Sequence, residues 1–395
     1  MRIVTLVVAA ALAATVAGAQ TPFSLQSLGQ NVDNGTARDL GRGGWGMADR
    51  DSIAPGSLNA AAIAELRHAQ LLFSGFALRT ADTGPDQDRL TMRTVLPTVR
   101  LSVPLREGRL GMFAGFDVKR AFSYESFESN LEFDVFDEPV EGNETYTRSG
   151  NLYEIPVGLA WRPHDDLFLG AAFLLQRGPV EDRIVQFFDD ALTNDYTQRL
   201  EFEGETMELS MLWDIPGPLS IGASVTPSYD LDVDRTVSIE GVSGEVESTA
   251  TVSMPTEYRA GFLFELGRHW RLGADGAYAA FGEMGQQDLF TPAPRDEWSF
   301  AVGLERKLVR ETRGRGYDMP LRVGFQWRRW AYQVGGSPVE ERAVSIGTGV
   351  PFRNWLGAID ASLSYVWIGS LADNGYESEA LRLGLSISGL ERLVF

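Results

Sequence analysis

Leu381-Arg382-Leu383-Gly384-Leu385-Ser386-Ile387-Ser388 alternates without a break: leucine or isoleucine at each odd number, arginine, glycine or serine at each even one. Successive side chains of a β-strand point to opposite faces, so this stretch has one greasy face and one small or polar face. The same pattern recurs upstream. Leu321, Val323, Phe325 and Trp327 interleave with Arg322, Gly324, Gln326 and Arg328. Trp298, Phe300, Val302 and Leu304 alternate with Ser299, Ala301, Gly303 and Glu305. Leu219 to Thr226 and Tyr153 to Trp161 read likewise.

A soluble sandwich shows this period too, with the greasy face turned inward. Two features favour hydrocarbon as the solvent for that face. The stripes carry Trp at their ends (Trp161, Trp213, Trp270, Trp298, Trp355, Trp367), as an interfacial girdle would. Fourteen candidate strands, centred near Phe73, Val99, Ala114, Val157, Ala171, Leu209, Ala223, Phe262, Ala274, Val302, Val323, Ser345, Leu363 and Leu383, also have links of alternating length. Links after even-numbered strands are mostly tight, as at Leu105 to Arg109 or Arg162 to Asp166. Those after odd-numbered strands are mostly longer, such as Ala121 to Tyr146, Gln176 to Tyr196 and Leu231 to Ala250. Short periplasmic turns opposite long external loops characterise outer-membrane barrels. The expected fold is therefore all-β: a 14-stranded antiparallel transmembrane β-barrel, with an N-terminal plug containing a short helix.

Charge follows the same division. Eight acids and no base lie between Ala121 and Tyr146, whereas the tight links carry Arg106, Arg109, Arg162, Arg268 and Arg353. Overall, 35 Lys+Arg face 54 Asp+Glu, a net charge of -19. That balance argues against a nucleic-acid partner, whose phosphates demand a basic footprint. The absence of cysteine removes disulfide frameworks and Cys-ligated zinc.

Met1-Arg2, the apolar run Ile3 to Val16 and Ala17-Gly18-Ala19 read as a secretory signal peptide cleaved before Gln20. The expected division is 1–19 signal peptide, 20–68 plug and 69–395 barrel. Residues 20–68 are rich in Gly, Asn, Asp and Ala, and end in the helix-former run Asn59 to Leu66. Glycines suit a plug, because they permit φ > 0 and close backbone approach in a confined space. Phe395, closing the chain after Leu393-Val394, resembles the terminal aromatic that barrels present to their insertion machinery.

Other motifs weigh less. Gly41-x-Gly43-x-x-Gly46 has the spacing of a dinucleotide fingerprint but lacks the strand and helix context that motif needs. Asp49 and Asp51 are spaced like calcium ligands, yet Ile53 stands where the third oxygen belongs, so a turn or an ion pair is expected. His68, His164 and His269 have no metal-ligand spacing and no nucleophile beside them. No enzyme, cofactor or metal is expected. Pro97, Pro104 and Pro156 fall inside predicted strands, where a bulge, a strand end or a kink must accommodate them. The inferred lumen face carries Arg100, Glu154, Glu208, Arg259, Asp275, Glu305, Arg322, Arg328, Asp360 and Arg382, a mixed set suited to mutual pairing and plug attachment.

Gly43-Gly44-Trp45-Gly46-Met47-Ala48, Asp51-Ser52 and Ser57-Leu58-Asn59-Ala60-Ala61-Ala62-Ile63-Ala64 together resemble the N-terminal signature of the FadL-like long-chain fatty-acid transporter superfamily. Ala60 replaces that motif's Pro, and Ala62 its Gly. The resemblance implies a fourteen-stranded barrel with an N-terminal hatch, passing hydrophobic or amphipathic small molecules inward. Hatch positions would be Gly43, Gly44, Trp45, Asp51, Ser52, Asn59 and Ala61. Phe122, Tyr124, Phe127, Phe133 and Phe136, in the acidic external loop, would catch the ligand. The expected setting is the outer membrane of a diderm bacterium, in contact with its lipid. Two alternatives stand beside this one: a non-transporting barrel that anchors or shuttles a protein partner, as in the type IX secretion branch, and a general diffusion porin.

Overall fold

The computed structural model describes residues 23, 29–50, 58–84, 88–135, 138–188, 193–240, 244–284, 294–307, 309–310, 317–352 and 357–391. Residues 1–19, Asp51, Ser52, Phe136, Trp355 and Phe395 lie outside them. Fourteen antiparallel strands form a closed wall: β1 (Ala69–Thr83), β2 (Asp88–Arg106), β3 (Leu110–Val135), β4 (Glu138–His164), β5 (Leu167–Phe188), β6 (Thr193–Asp214), β7 (Leu219–Thr226, resumed as Tyr229–Ile239), β8 (Val246–Met254, resumed as Glu257–Leu266), β9 (Trp270–Ala279), β10 (Glu297–Arg306), β11 (Leu321–Val334), β12 (Ser337–Pro351), β13 (Gly357–Ser370) and β14 (Tyr376–Glu391). The ring closes where β14 pairs with β1, from Glu377↔Thr83 to Glu391↔Ala69. All fourteen strand centres read from the alternation fall on these strands.

The greasy stripes face out. Leu383 and Leu385 are 57% and 51% exposed, and Val157, Leu159, Phe173, Met207, Phe300 and Val323 are exposed in the same band. A band this large and contiguous is not stable against water, and hydrocarbon is the solvent that suits it. Trp161 and Trp213 stand near the short-turn rim, Trp298 and Trp367 toward the other, all exposed. No helix among the described residues is long and apolar enough to cross a membrane.

Three of the expected long loops are instead strand. β3 and β4 run on past the apolar band to a hairpin near Val135, and β5 and β6 to Phe188 and Thr193. The outer half of β7 pairs with β6 and with β8. The acids that suggested solvated loops sit at alternate positions on these extensions: Glu201, Glu203 and Glu205 point out while Leu200, Phe202 and Gly204 point in. A charged outer face beyond the hydrocarbon is compatible with a paired strand, so charge alone did not mark a loop.

The prolines lie where the ladder tolerates a missing donor. Pro97 faces the bulge between Ser74 and Phe76, and Pro104 sits at a register shift near the end of β2. Beside Pro156 the β3–β4 ladder skips from Ala114↔Val157 to Asp117↔Glu154. The β2–β3 pairing stops at Thr98↔Asp117, and there the two-residue strand Gln30–Asn31 pairs with Arg120 and Ala121. The chain's own beginning thus occupies the seam where two wall strands part.

Candidate functional site

The lumen holds residues 29–50 and 58–66, and local sequence sets their path. Thr36 caps the short helix α1 (Ala37–Gly41): its hydroxyl accepts from the Asp39 amide at 3.2 Å, and the Asp39 carboxylate accepts from the Thr36 amide at 2.9 Å. This reciprocal cap satisfies donors that water cannot reach. Gly43 and Gly44, at φ +86° and +90°, then turn the chain through a region that side chains disfavour. Trp45 follows, fully buried, with the Arg42 guanidinium 3.9 Å from its ring centre. Asp275 accepts from the amides of Gly46 at 2.6 Å and Met47 at 2.9 Å. Asn59 caps the 3₁₀ turn Ala60–Glu65, accepting from Ala61 while its own amide donates to the carbonyls of Met47 and Met211. The Ala61 amide also lies 3.2 Å from the Ser210 hydroxyl. The segment leaves the lumen at Leu66, whose carbonyl accepts from Gly108 in the turn between β2 and β3.

The wall makes room for this path with glycines, one per strand. A Cβ on Gly324 or Gly303 would stand 2.1 Å from the Arg42 backbone. One on Gly273 would stand 2.3 Å from Trp45, and one on Gly222 1.9 Å from the Met47 carbonyl. Gly347 faces Gly41, Gly170 faces Ala61 and Gly111 faces Ile63, all within 3 Å of such a Cβ. In chain order the segment therefore passes β12, β11, β10, β9, β7, β5 and β3, travelling round the inside of the barrel.

Buried ion pairs fasten it. Glu305 of β10 receives Arg38 at 3.1 Å, Arg42 at 3.3 Å and Arg322 at 2.9 Å; Arg322 also reaches Asp360 at 2.7 Å. Asp49 receives Arg42 at 2.6 Å, and Arg38 and Arg271 at 3.3 Å. Burial opposes the charge on Asp49, but these guanidiniums outweigh it and hold its pKa at about 2. Asp33 is bound by Arg328 and Arg382, which overcome burial and keep its carboxyl well below the usual range.

All ten residues assigned to the lumen face point inside. Five sit in these networks, and Asp275 holds the Gly46 and Met47 amides. Arg100 pairs with Asp117 at 3.2 Å, Glu154 with Lys119 at 3.2 Å and Arg259 with Glu257 at 3.4 Å. With Glu208 these line a cavity of about 220 Å³. Toward the outer end, Phe122, Phe202, Leu231, Val252, Met254 and Phe281 form a buried apolar cluster drawing on β3 to β9 and β11. Ala279 belongs to both cluster and cavity. Tyr229 packs on the cluster and donates to Gln176, which donates to Glu154 at 3.1 Å.

The proposed capture aromatics do not share a loop. Phe136 lies outside the described residues; the other four lie on β3, where alternation and a register shift part them: Phe122 is buried inward against Phe202, while Phe127 is 57% exposed. Tyr124 stands beside Tyr146, and Phe133 meets Phe188 edge-on. Sequence reading missed Asp33, Arg38, Asp39, Arg42, Lys119 and Glu257. Arg38 and Arg42, spaced i, i+4 in a segment of small residues, were an available signal, as was the inward series Phe113, Gly115, Asp117. Among the described residues no group of three or more His, Cys, Asp or Glu could hold a metal.

In overall shape the chain is similar to a Pseudomonas aeruginosa FadL homologue, with 12% identity, TM-score 0.64, and 91% of this chain and 99% of that one covered. It is likewise similar to the Pseudomonas putida toluene transporter TodX (13%, TM-score 0.58, 92% and 99%) and the Ralstonia pickettii toluene transporter TbuX (13%, TM-score 0.57, 91% and 99%). At these identities the likeness shows the fold, which is FadL-like. No curated protein matches. The BamG family model matches residues 1–390, nearly the whole of this filled barrel, and the chain belongs to the BamG family.

Proposed function

We propose that this barrel sits in the outer membrane of a diderm bacterium, delivered by a cleaved signal peptide and inserted by machinery that reads Phe395, and that it takes up amphipathic small molecules. The observation that carries this reading is the meeting of two chemistries in one lumen. An apolar cluster lies over a charged cavity, joined through Ala279 and the Tyr229–Gln176–Glu154 chain. A molecule with a tail and a head matches both layers, whereas a plain hydrocarbon would leave the charged layer unserved. Likeness in fold to hydrophobic-compound transporters supports the same reading. Residues 20–68 act as plug and gate, with Gly43, Gly44, Trp45, Asn59 and Ala61 as hatch positions. The test is uptake of a labelled amphiphile into proteoliposomes by the full chain and by a deletion of Gln20 to Leu66. Faster uptake by the deletion is expected, and equal rates would sink gating.

A second reading, a barrel that anchors a protein partner, is favoured by one specific feature: the inner segment is pinned by buried ion pairs on several strands at once. Co-purification of a stoichiometric protein together with an empty cavity would select it.

A further inference from the structure

The cavity wall carries seven carboxylates and five cations. Six of the carboxylates meet a cation or a backbone donor from within the protein, although one oxygen each of Asp117 and Asp275 stays without a hydrogen bond. Asp33 meets Arg328 and Arg382, and Asp117 meets Arg100. Glu154 and Glu257 share Lys119, at 3.2 and 3.5 Å. Glu297 meets Arg120 and accepts from Asn31, and Asp275 holds the Gly46 and Met47 amides. The wall cations are consumed by the same pairs, Arg259 by Glu257. Glu208 differs from them: among the described residues it makes no hydrogen bond and no ion pair within 4 Å, and the charge that acts on it most, Arg259, is already held by Glu257. It stands on β6 directly opposite Ala172 of β5, with Leu174 and Phe113 on the same wall.

Resting on the amphipath reading above, we infer that the cavity is a headgroup site selecting cationic amphiphiles, a protonated amine or quaternary ammonium on a short alkyl chain, with Glu208 as counter-ion. A carboxylate withdrawn from bulk water with no hydrogen bond and only a shared guanidinium at a distance is costly, and a ligand cation recovers that cost. An anionic head finds the opposite: no wall cation is free, and Glu208 repels it. Ala172, Leu174 and Phe113 give the first carbons of the tail an apolar bed beside the charge.

The test titrates the purified full chain, in nonionic maltoside micelles, with hexylammonium chloride and with sodium hexanoate by calorimetry. Hexylammonium is expected to bind saturably and at least about tenfold more tightly than hexanoate. Glu208→Gln should weaken the amine about tenfold, and Glu208→Lys should reverse the preference. Glu205→Gln, on the outward face of the same strand, should change neither. Mobility on unheated gels verifies that each variant keeps its barrel. Equal affinity for both probes, amine binding unchanged in Glu208→Gln, or no saturable binding of the amine overturns the assignment. Amine binding without amine uptake would remove the transport reading and leave this site standing; hexanoate uptake without amine binding would do the reverse.

Discussion

Asp49 concentrates the physics of the inner segment in one side chain. Three guanidiniums surround it, and its pKa of about 2 lies below the ordinary carboxylate value because the charged form is held by them despite burial. A depressed folded pKa contributes stability that is complete above the unfolded value, ~4, and lost as pH falls through the folded one. For Asp49 that contribution is on the order of 2 kcal/mol, and Asp33, shifted the same way by Arg328 and Arg382, adds to it. The packing of Trp45 under Arg42 should therefore persist from pH 8 to 4 and loosen below about pH 3. The difference in fluorescence between the natural chain and Trp45→Phe isolates this indole. A difference spectrum that is the same at pH 2 and pH 7 would refute the argument.

At the scale of elements, the fit between the inner segment and the wall is steric before it is electrostatic. Gly303→Ala would push a methyl to within 2.1 Å of the Arg42 carbonyl, between two backbones that cannot yield independently. A loss of about 2 kcal/mol or more is expected, as for overpacked cores. Gly276→Ala on the neighbouring strand meets nothing nearer than the Ser299 carbonyl at 3.8 Å and should cost under about 0.5 kcal/mol. The temperature at which each barrel loses its compact form on gels compares the two; equal temperatures would mean the segment does not press on the wall. Such fits explain what sequence could and could not disclose. The fourteen strands were legible because Leu383, Val323 or Val157 must face hydrocarbon while their neighbours must not. The inward charges were legible as the other face of the same alternation. Their partners were not, because Arg38 finds Glu305, and Asp33 finds Arg382, across hundreds of residues and only once the ring is closed. The outer extensions were misread because Leu231 and Val233 alternate with Asp230, Asp232 and Asp234, and acids outside a membrane look alike on loops and on strands.

Taken whole, the lumen holds two layers in series, different in kind: an ion-paired inner segment and an apolar cluster. On the uptake reading proposed above, the inner segment would block by bulk and fixed charge, and the outer cluster of Phe122, Phe202, Val252, Met254 and Phe281 by excluding water. An apolar constriction stops hydrated ions by dewetting, yet admits an apolar tail. Deleting Gln20 to Leu66 should therefore quicken amphiphile uptake and leave ionic conductance in planar bilayers small. Phe122→Ala with Phe202→Ala, in the intact chain, should also conduct little, because the inner segment remains. Only the deletion combined with both alanines should give large, steady currents, since current through barriers in series is set by the tighter one. Steady conductance in the unaltered chain would favour the porin alternative. Large currents in the deletion alone would show that the cluster leaves a wet path, and the layered lumen would lose its outer seal.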